Sequence, residues 1–267
     1  MKNISIGLLF LINACNTAKQ IQPLQTSPQN IAINGKLFTS LYQHYSAEYR
    51  ALCLQAYNIA RIKLDESLQH PTGKPRAIIT DIDETIFDNS EYDLHVYLQG
   101  KGYEPATWYR WTDMAVADTI WGAPAFLKYA ALQKVEIFYV TNREEREKNS
   151  TIINLRKYNF PNADKDHLLM QQTSSGKELR RQQIALTHNI VLLLGDYLAD
   201  FSDLFYKKTT EERIANTSAL SAEFGNKFII IPNSVYGDWE SAMYKYINNL
   251  TPAQKDSVIK IMAKTYK

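Results

Sequence analysis

Five short, continuously apolar, β-rich runs punctuate this chain, at 77–80, 135–140, 167–170, 190–194 and 228–231. Helical stretches separate most of them. A strand with one wet face alternates apolar and polar residues, whereas a strand buried on both faces is apolar throughout. The runs therefore predict an α/β fold, with a parallel sheet covered on both faces by helices. Such sheets take ligands beyond the carboxyl ends of their strands. Here those ends are polar. Asp81-Ile82-Asp83-Glu84-Thr85 follows the first run, and Thr141-Asn142-Arg143 the second. Gly195-Asp196-Tyr197-Leu198-Ala199-Asp200 follows the fourth, and Pro232-Asn233 the fifth. Ser174-Ser175-Gly176-Lys177 lies between the third and fourth.

The remaining segments frame this core. Leu37, Leu41, Tyr45, Tyr49, Leu52, Ala56 and Ile59 recur every three or four residues, which predicts one amphipathic helix ending before His70-Pro71. Residues 88–132 carry no strand signal and are rich in Tyr and Trp. That is too long for a loop in a compact domain, so a smaller helical cap over the strand ends is expected. Trp111 and Trp121 are assigned to the cap core. A closing helix should follow Thr251-Pro252, with Thr as its cap and Pro in its first turn.

At the start, Lys2 precedes an apolar run at 4–12, too short to span a bilayer as a stable helix. Leu11-Ile12-Asn13-Ala14-Cys15 resembles the bacterial lipobox, in which the signal is cut before a Cys that carries lipid. The expected organisation is a signal at 1–14, a solvated tether at 15–35 and a helical segment at 36–75. The core follows at 76–240 with its cap at 88–132, then C-terminal helices at 241–267. Acyl groups on Cys15 would anchor the protein to the bacterial envelope, at the outer membrane or its periplasmic face. Cys53 is then the one free thiol, inside a helical pattern, and reads as a small buried hydrophobe. Hydrophobic content of 45% and charged content of 22% are globular values. A net charge of +2 gives no global attraction to a nucleic acid polymer.

Asp81, Asp83, Asp196 and Asp200 are expected to converge. Four carboxylates in one crevice repel and raise one another's pKa, a penalty that a bound cation removes. All-oxygen donors select a hard ion such as Mg²⁺, and no Cys or His pair suggests zinc. Other phosphate chemistries lack their signatures. Arg-His-Gly is absent, neither Cys has an Arg six residues later, and Ser174 to Lys177 departs from the Walker loop.

Asp81-Ile82-Asp83-Glu84-Thr85 after a hydrophobic strand resembles the first motif of the haloacid dehalogenase superfamily. With Asn89, Tyr92 and Gly195-Asp196-x-x-x-Asp200-Phe201, it resembles the bipartite signature of the class C acid phosphatases. The resemblance runs from about Leu37 to the C-terminus. It takes in Phe138 to Arg143, Lys177-Glu178-x-Arg180-Arg181, and Pro232-Asn233-x-x-Tyr236-Gly237-x-Trp239-Glu240. Tyr197 departs from the family, standing where Asn or Thr is usual. The resemblance implies a lipid-anchored, Mg²⁺-dependent phosphohydrolase of small phosphomonoesters, and it suggests a homodimer.

The expected roles follow. Asp81 attacks phosphorus as the nucleophile, and Asp83 moves the proton to and from the scissile oxygen. Mg²⁺ would be held by Asp81, the backbone carbonyl of Asp83, and Asp196, with Asp200 as a direct ligand or one step removed. Thr141 and the amides near Asn142 would bind phosphate oxygens. Lys177 neutralises the phosphate and positions Asp81, with Lys165 as a rival cation. Glu84 orients or caps its loop. Trp108 and Tyr236 flank an aromatic leaving group such as a 5′-nucleotide, nicotinamide mononucleotide or an aryl phosphate. Two other classes compete. A non-catalytic lipoprotein kept for binding or adhesion would have lost Asp81 or Asp83, and a phosphorelay receiver would lack Asp83 and the large cap.

Overall fold

The computed structural model describes residues 30–263 and 265–266. In chain order the elements are α1 (Ile31–Tyr45), α2 (Ala47–Leu68), β1 (Arg76–Thr80), β2 (Phe87–Asp88), α3 (Ser90–Leu98), α4 (Pro105–Met114), β3 (Asp118–Thr119) and α5 (Ala123–Leu132). They continue as β4 (Glu136–Val140), α6 (Lys148–Lys157), β5 (Leu168–Leu169), α7 (Glu178–Thr187), β6 (Asn189–Gly195), α8 (Thr210–Ala219), β7 (Phe228–Ile230), α9 (Asp238–Met243) and α10 (Pro252–Met262).

Each of the five apolar runs is a strand of a single sheet, ordered β5-β4-β1-β6-β7. Every neighbouring pair is parallel. The reason for the unbroken apolar runs is visible in the packing. Ile78, Ile137, Leu192 and Leu194 share one hydrophobic cluster with Cys53 and Leu64 of α2 and Leu127 of α5. Ala77, Ile79, Val140 and Leu193 share another with Ile184 of α7. Successive side chains along a strand thus enter cores on opposite faces. Each fully buried Ile or Leu contributes roughly 1.5–3 kcal/mol.

The long helix expected through Leu37 and Ile59 is two helices. Ser46 is extended (φ −78°, ψ 139°), and its amide donates to the Tyr42 carbonyl, closing α1. Its hydroxyl accepts from the Tyr49 amide at 3.1 Å, opening α2. A Ser side chain that offers the backbone another partner can end one helix and begin the next. The break sends α1 against α3 and α10, while α2 packs on α5, β6 and β7. It also explains why Leu41 and Tyr45, part of the expected buried stripe, are exposed.

α1 starts at Ile31, inside the stretch expected as tether. Asn30 caps it locally, accepting from the Ile33 amide at 3.1 Å. Asp256 of α10 accepts from the amides of Ile31 (3.1 Å) and Ala32 (3.2 Å). A cap that lies 225 residues away leaves no local signal. The signal and Cys15 lie outside the described residues. Among those described, no helix is long and apolar enough to cross a membrane.

The stretch at 88–132 is largely helical, with α3 and α4 over the strand ends. Two details differ from expectation. A two-residue antiparallel ladder, Phe87–Thr119 and Asp88–Asp118, ties its start to the residues just before α5. α5 packs on α2 and β4, as a sheet-covering helix does. Trp111 is buried, as expected, but Trp121 is 49% exposed and lies outside any core. The Arg50 guanidinium sits 4.7 Å from its ring centroid, so charge covers the indole instead of apolar neighbours. Thr251 caps α10 as its sequence requires, accepting from the Gln254 amide.

Candidate active site

The turn after β1 is built from the backbone outward. The Asp81 amide donates to the Leu194 carbonyl at 3.0 Å, carrying the ladder one residue past the strand. The Ile82 carbonyl then accepts from the amides of Thr85, Ile86 and Phe87. So tight a turn needs a left-handed residue, and Glu84 supplies it at φ +55°. A non-glycine residue there costs on the order of 1 kcal/mol or more unless its surroundings hold it. They do. The Glu84 amide donates to the Phe87 carbonyl at 2.8 Å. Its fully buried carboxyl accepts from the Asn89 amide (3.0 Å), the Asn89 side chain (3.3 Å) and the Tyr236 hydroxyl. Burial, reinforced by Asp93 and Asp83, pushes the Glu84 pKa well up.

Two adjacent strand ends, those of β1 and β6, bring acids together. One carboxylate oxygen from each of Asp81, Asp196 and Asp200 lies within 4.8 Å of the others. Lys177, the residue that opens α7, is 4% exposed in its side chain and bridges two of them. Its Nζ is 2.7 Å from Asp81 Oδ1 and 2.5 Å from Asp200 Oδ1. Asp200 Oδ2 accepts from the Tyr197 amide at 2.9 Å. Gly195 makes this approach possible, because a Cβ there would lie 2.3 Å from Asp200 Oδ2. Asn233 donates to Asp196 Oδ2 at 2.8 Å, and Thr85 to Asp196 Oδ1 at 3.1 Å.

The charge of this cluster is unbalanced. Burial pushes the Asp81 carboxyl up to about 7; Lys177 opposes this, and Asp200 and Asp83 add to it. Burial and the neighbouring acids Asp81 and Asp200 push Asp196 well up. Burial alone lowers the Lys177 pKa, but Asp200 and Asp81 reverse that and raise it. One buried ammonium among three acids leaves room for further positive charge. An all-oxygen donor set of this kind fits a hard divalent cation.

The fourth acid is not in that cluster. The carboxylate of Asp83 turns to Arg143, whose Nε and Nη2 reach it at 3.0 and 2.7 Å, and Asn89 adds a bond at 2.9 Å. A buried guanidinium fork outcompetes a site already crowded with like charge. Arg143 is itself fixed by Thr151 at 3.0 Å. The side chain is thus committed to Arg143 and Asn89, and any contact of Asp83 with a metal would fall to its backbone carbonyl.

Thr141 is buried, its hydroxyl accepting from the Arg143 amide at 3.1 Å. Asn142 borders the cleft, its side chain held by Arg180 at 3.1 Å. Lys165 is exposed in the loop before β5, at the amino end of the sheet and away from the acids. Lys177 is the lysine of this site.

The acids open into a cleft of about 390 Å³. Trp108 and Tyr236 both line its wall, one from α4 and one from the loop after β7. Trp108 is held by Glu147, which accepts from its Nε1 at 3.0 Å, and by an edge-to-face contact with Tyr92. Tyr197 meets Tyr236 edge to face and also borders the cleft. Arg143, Asn89 and Asn233 received no role from sequence, although each stands in a quoted motif. The available signal was position: Arg143 and Asn233 follow the carboxyl ends of β4 and β7, and Asn89 follows the acidic turn after β1.

The family model described as HAD superfamily, subfamily IIIB (Acid phosphatase) matches residues 10–239. The chain is also similar to the solved class C acid phosphatase of Bacillus anthracis. Identity is 38% and the TM-score 0.86, over 88% of this chain and 99% of that one. A second structure of the Bacillus anthracis enzyme, with tungstate bound, is similar at 38% identity and a TM-score of 0.86, over 90% of this chain and all of that one.

Proposed function

This chain belongs to the acid phosphatases of HAD superfamily subfamily IIIB, and on that premise we propose that it hydrolyses small phosphomonoesters through an aspartyl-phosphate on Asp81, with Mg²⁺ as its metal. The observation that carries this reading is the Lys177 ammonium bridging Asp81 and Asp200 beside Asp196.

The chemistry follows from the geometry. An Asp81 oxygen attacks phosphorus, and the bond to the leaving oxygen breaks as Asp83 gives that oxygen a proton. Asp83 then takes a proton from water as the water oxygen attacks phosphorus; the bond from phosphorus to the Asp81 oxygen breaks, releasing phosphate and regenerating the Asp81 carboxylate. Arg143 and Asn89 aim Asp83 for both transfers. Lys177 orients Asp81 and offsets charge on the transferring group, and Thr141 and Asn142 receive phosphate oxygens. Asp81, the Asp83 carbonyl and Asp196 would hold Mg²⁺, with Asp200 engaged mainly by Lys177 and Tyr197. When bound, the ion supplies charge neutralisation for the acids and the phosphoryl group. The tungstate of the Bacillus anthracis enzyme, an oxyanion like phosphate, supports an oxyanion site in this cleft.

Trp108 and Tyr236 would flank the leaving group, which favours 5′-nucleotides, nicotinamide mononucleotide and aryl phosphates over small aliphatic esters such as glycerol phosphate. Lipidation at Cys15 would place the enzyme on the bacterial envelope, and we expect a homodimer. The test is a phosphomonoester panel with and without Mg²⁺, on protein lacking residues 1 to 15. Turnover should need the metal and vanish in Asp81→Asn; near wild-type rate in folded Asp81→Asn overturns the mechanism. Membrane partition of the full chain, compared with Cys15→Ser, tests the anchor.

A further inference from the structure

The cleft extends beyond the acids that serve phosphate, and its far wall is short of positive charge. Lys36 and Arg143 are basic residues on its lining, and each already faces an acid. Lys36 Nζ is 2.6 Å from Glu240, and Arg143 holds Asp83. Asp238, also on the wall, faces Arg213 at 3.6 Å. Asp93 of α3 forms no such close ion pair: Lys36 and Tyr97 act on its carboxyl, but neither pairs its Oδ2. It lines the cleft, is only 3% exposed, and its Oδ2 is buried without a hydrogen bond. Leaving a carboxylate oxygen buried and unpaired costs on the order of 1–3 kcal/mol or more, so such an atom beside a ligand cleft needs an explanation. Its surroundings are acidic. Burial pushes the Asp93 carboxyl up to about 7, Lys36 and Tyr97 pull it down, and Asp88 and Asp83 raise it further. Around it the wall is aromatic, formed by Tyr92, Tyr97, Tyr103 and Trp108. Ring faces carry negative charge density and attract ammonium groups, most strongly when water is excluded.

We propose that Asp93 and these rings form a subsite for a cationic leaving group, so that the enzyme selects phosphate monoesters of quaternary-ammonium or aminoalkyl alcohols. The proposal rests on reading the cleft as a phosphomonoesterase site. It reaches past aromatic stacking, because it assigns selectivity to charge and extends it to leaving groups that have no ring.

A pair of esters of equal shape isolates that charge. Phosphocholine and 3,3-dimethylbutyl phosphate differ in one atom, N⁺ against C, at the centre of the same trimethyl head. At pH 8, above the Asp93 pKa, wild-type kcat/KM should favour phosphocholine by roughly tenfold. Asp93→Asn should bring the ratio to within about twofold of one, whereas Glu91→Gln, exposed on the same helix, should leave it in place. A general lesion lowers both esters together and does not move the ratio. Equal rates for the two esters in wild type, or an unchanged ratio in folded Asp93→Asn, overturns the proposal. Should Asp93→Asn fail to fold, wild-type protein still decides by calorimetric binding of choline against 3,3-dimethylbutan-1-ol. Tighter choline binding supports the subsite and equal binding rejects it, even in protein that turns over nothing. Turnover of an aryl phosphate in the same preparation reads the phosphatase activity separately.

Discussion

At the residue scale, the site depends on which acid receives which base. Lys177 goes to Asp81 and Asp200, and Arg143 goes to Asp83. The division suits the two proposed roles, since a nucleophile needs a point charge that also suits phosphate, and a proton carrier needs a fixed direction. Lysine cannot reproduce a two-pronged guanidinium. Arg143→Lys should therefore lower kcat by about tenfold or more through misaimed proton transfer, with KM little changed. Steady-state kinetics on an aryl phosphate checks this; an unaltered kcat would mean that Asp83 is aimed by Asn89 alone. The acids of the site were legible because strand ends collect chemistry in parallel sheets. Their partners were less so. Nothing in the spacing of Arg143 distinguishes a buried fork from one more surface base, and only the folded distance to Asp83 does.

At the element scale, two joints set the geometry. The first is β6 into its loop, where Gly195 lets Asp200 fold back against the strand end. Gly195→Ala puts a methyl 2.3 Å from Asp200 Oδ2, far inside contact distance. The carboxylate must move, and Lys177 loses one of its anchors. We expect the Mg²⁺ concentration for half-maximal activity to rise at least tenfold, about 1.4 kcal/mol, with circular dichroism unchanged. The second joint is the cap that α10 places on α1. Asp256→Ala should cost about 1–2 kcal/mol by denaturant unfolding, since two amides lose their acceptor. All five strands were legible, because double burial imposes an apolar run that no other element of that length needs. The split at Ser46 was not. The apolar period runs through it unbroken, and one hydroxyl bond decides the matter. Trp121 misled for a related reason: an indole reads as core, but a single Arg50 suffices to cover it at the surface.

At the scale of the whole molecule, the acid cluster couples stability to pH and metal. The Asp81 carboxyl titrates near 3.8 when free and near 7 in the metal-free fold. A raised pKa means that the fold holds the proton more tightly than the unfolded chain does. The stability this gives is fully present below about pH 4 and is lost as pH rises through about 7. Asp196, raised for the same reasons, acts in the same direction. Protein treated with EDTA should therefore lose several degrees of Tm between pH 5 and pH 8. Mg²⁺, if held by the folded site and not by the unfolded chain, should restore the loss, most at pH 8, where fewer protons compete. Thermal scans at the two pH values, with and without the ion, check both parts. A Tm difference independent of pH would place the metal away from these acids.

The clasp between α1 and α10 has a mechanical consequence. Because Asp256 ties the first turn of α1 to the last helix, a pull between the two ends of the described chain loads that contact before it reaches the sheet. The load would peel the outer helices away while Asp81 and Asp196, rooted at strand ends, and Lys177, at the start of α7, stay outside the path of the force. Tension along the chain would thus open the wall formed by Lys36 before it deformed the catalytic floor.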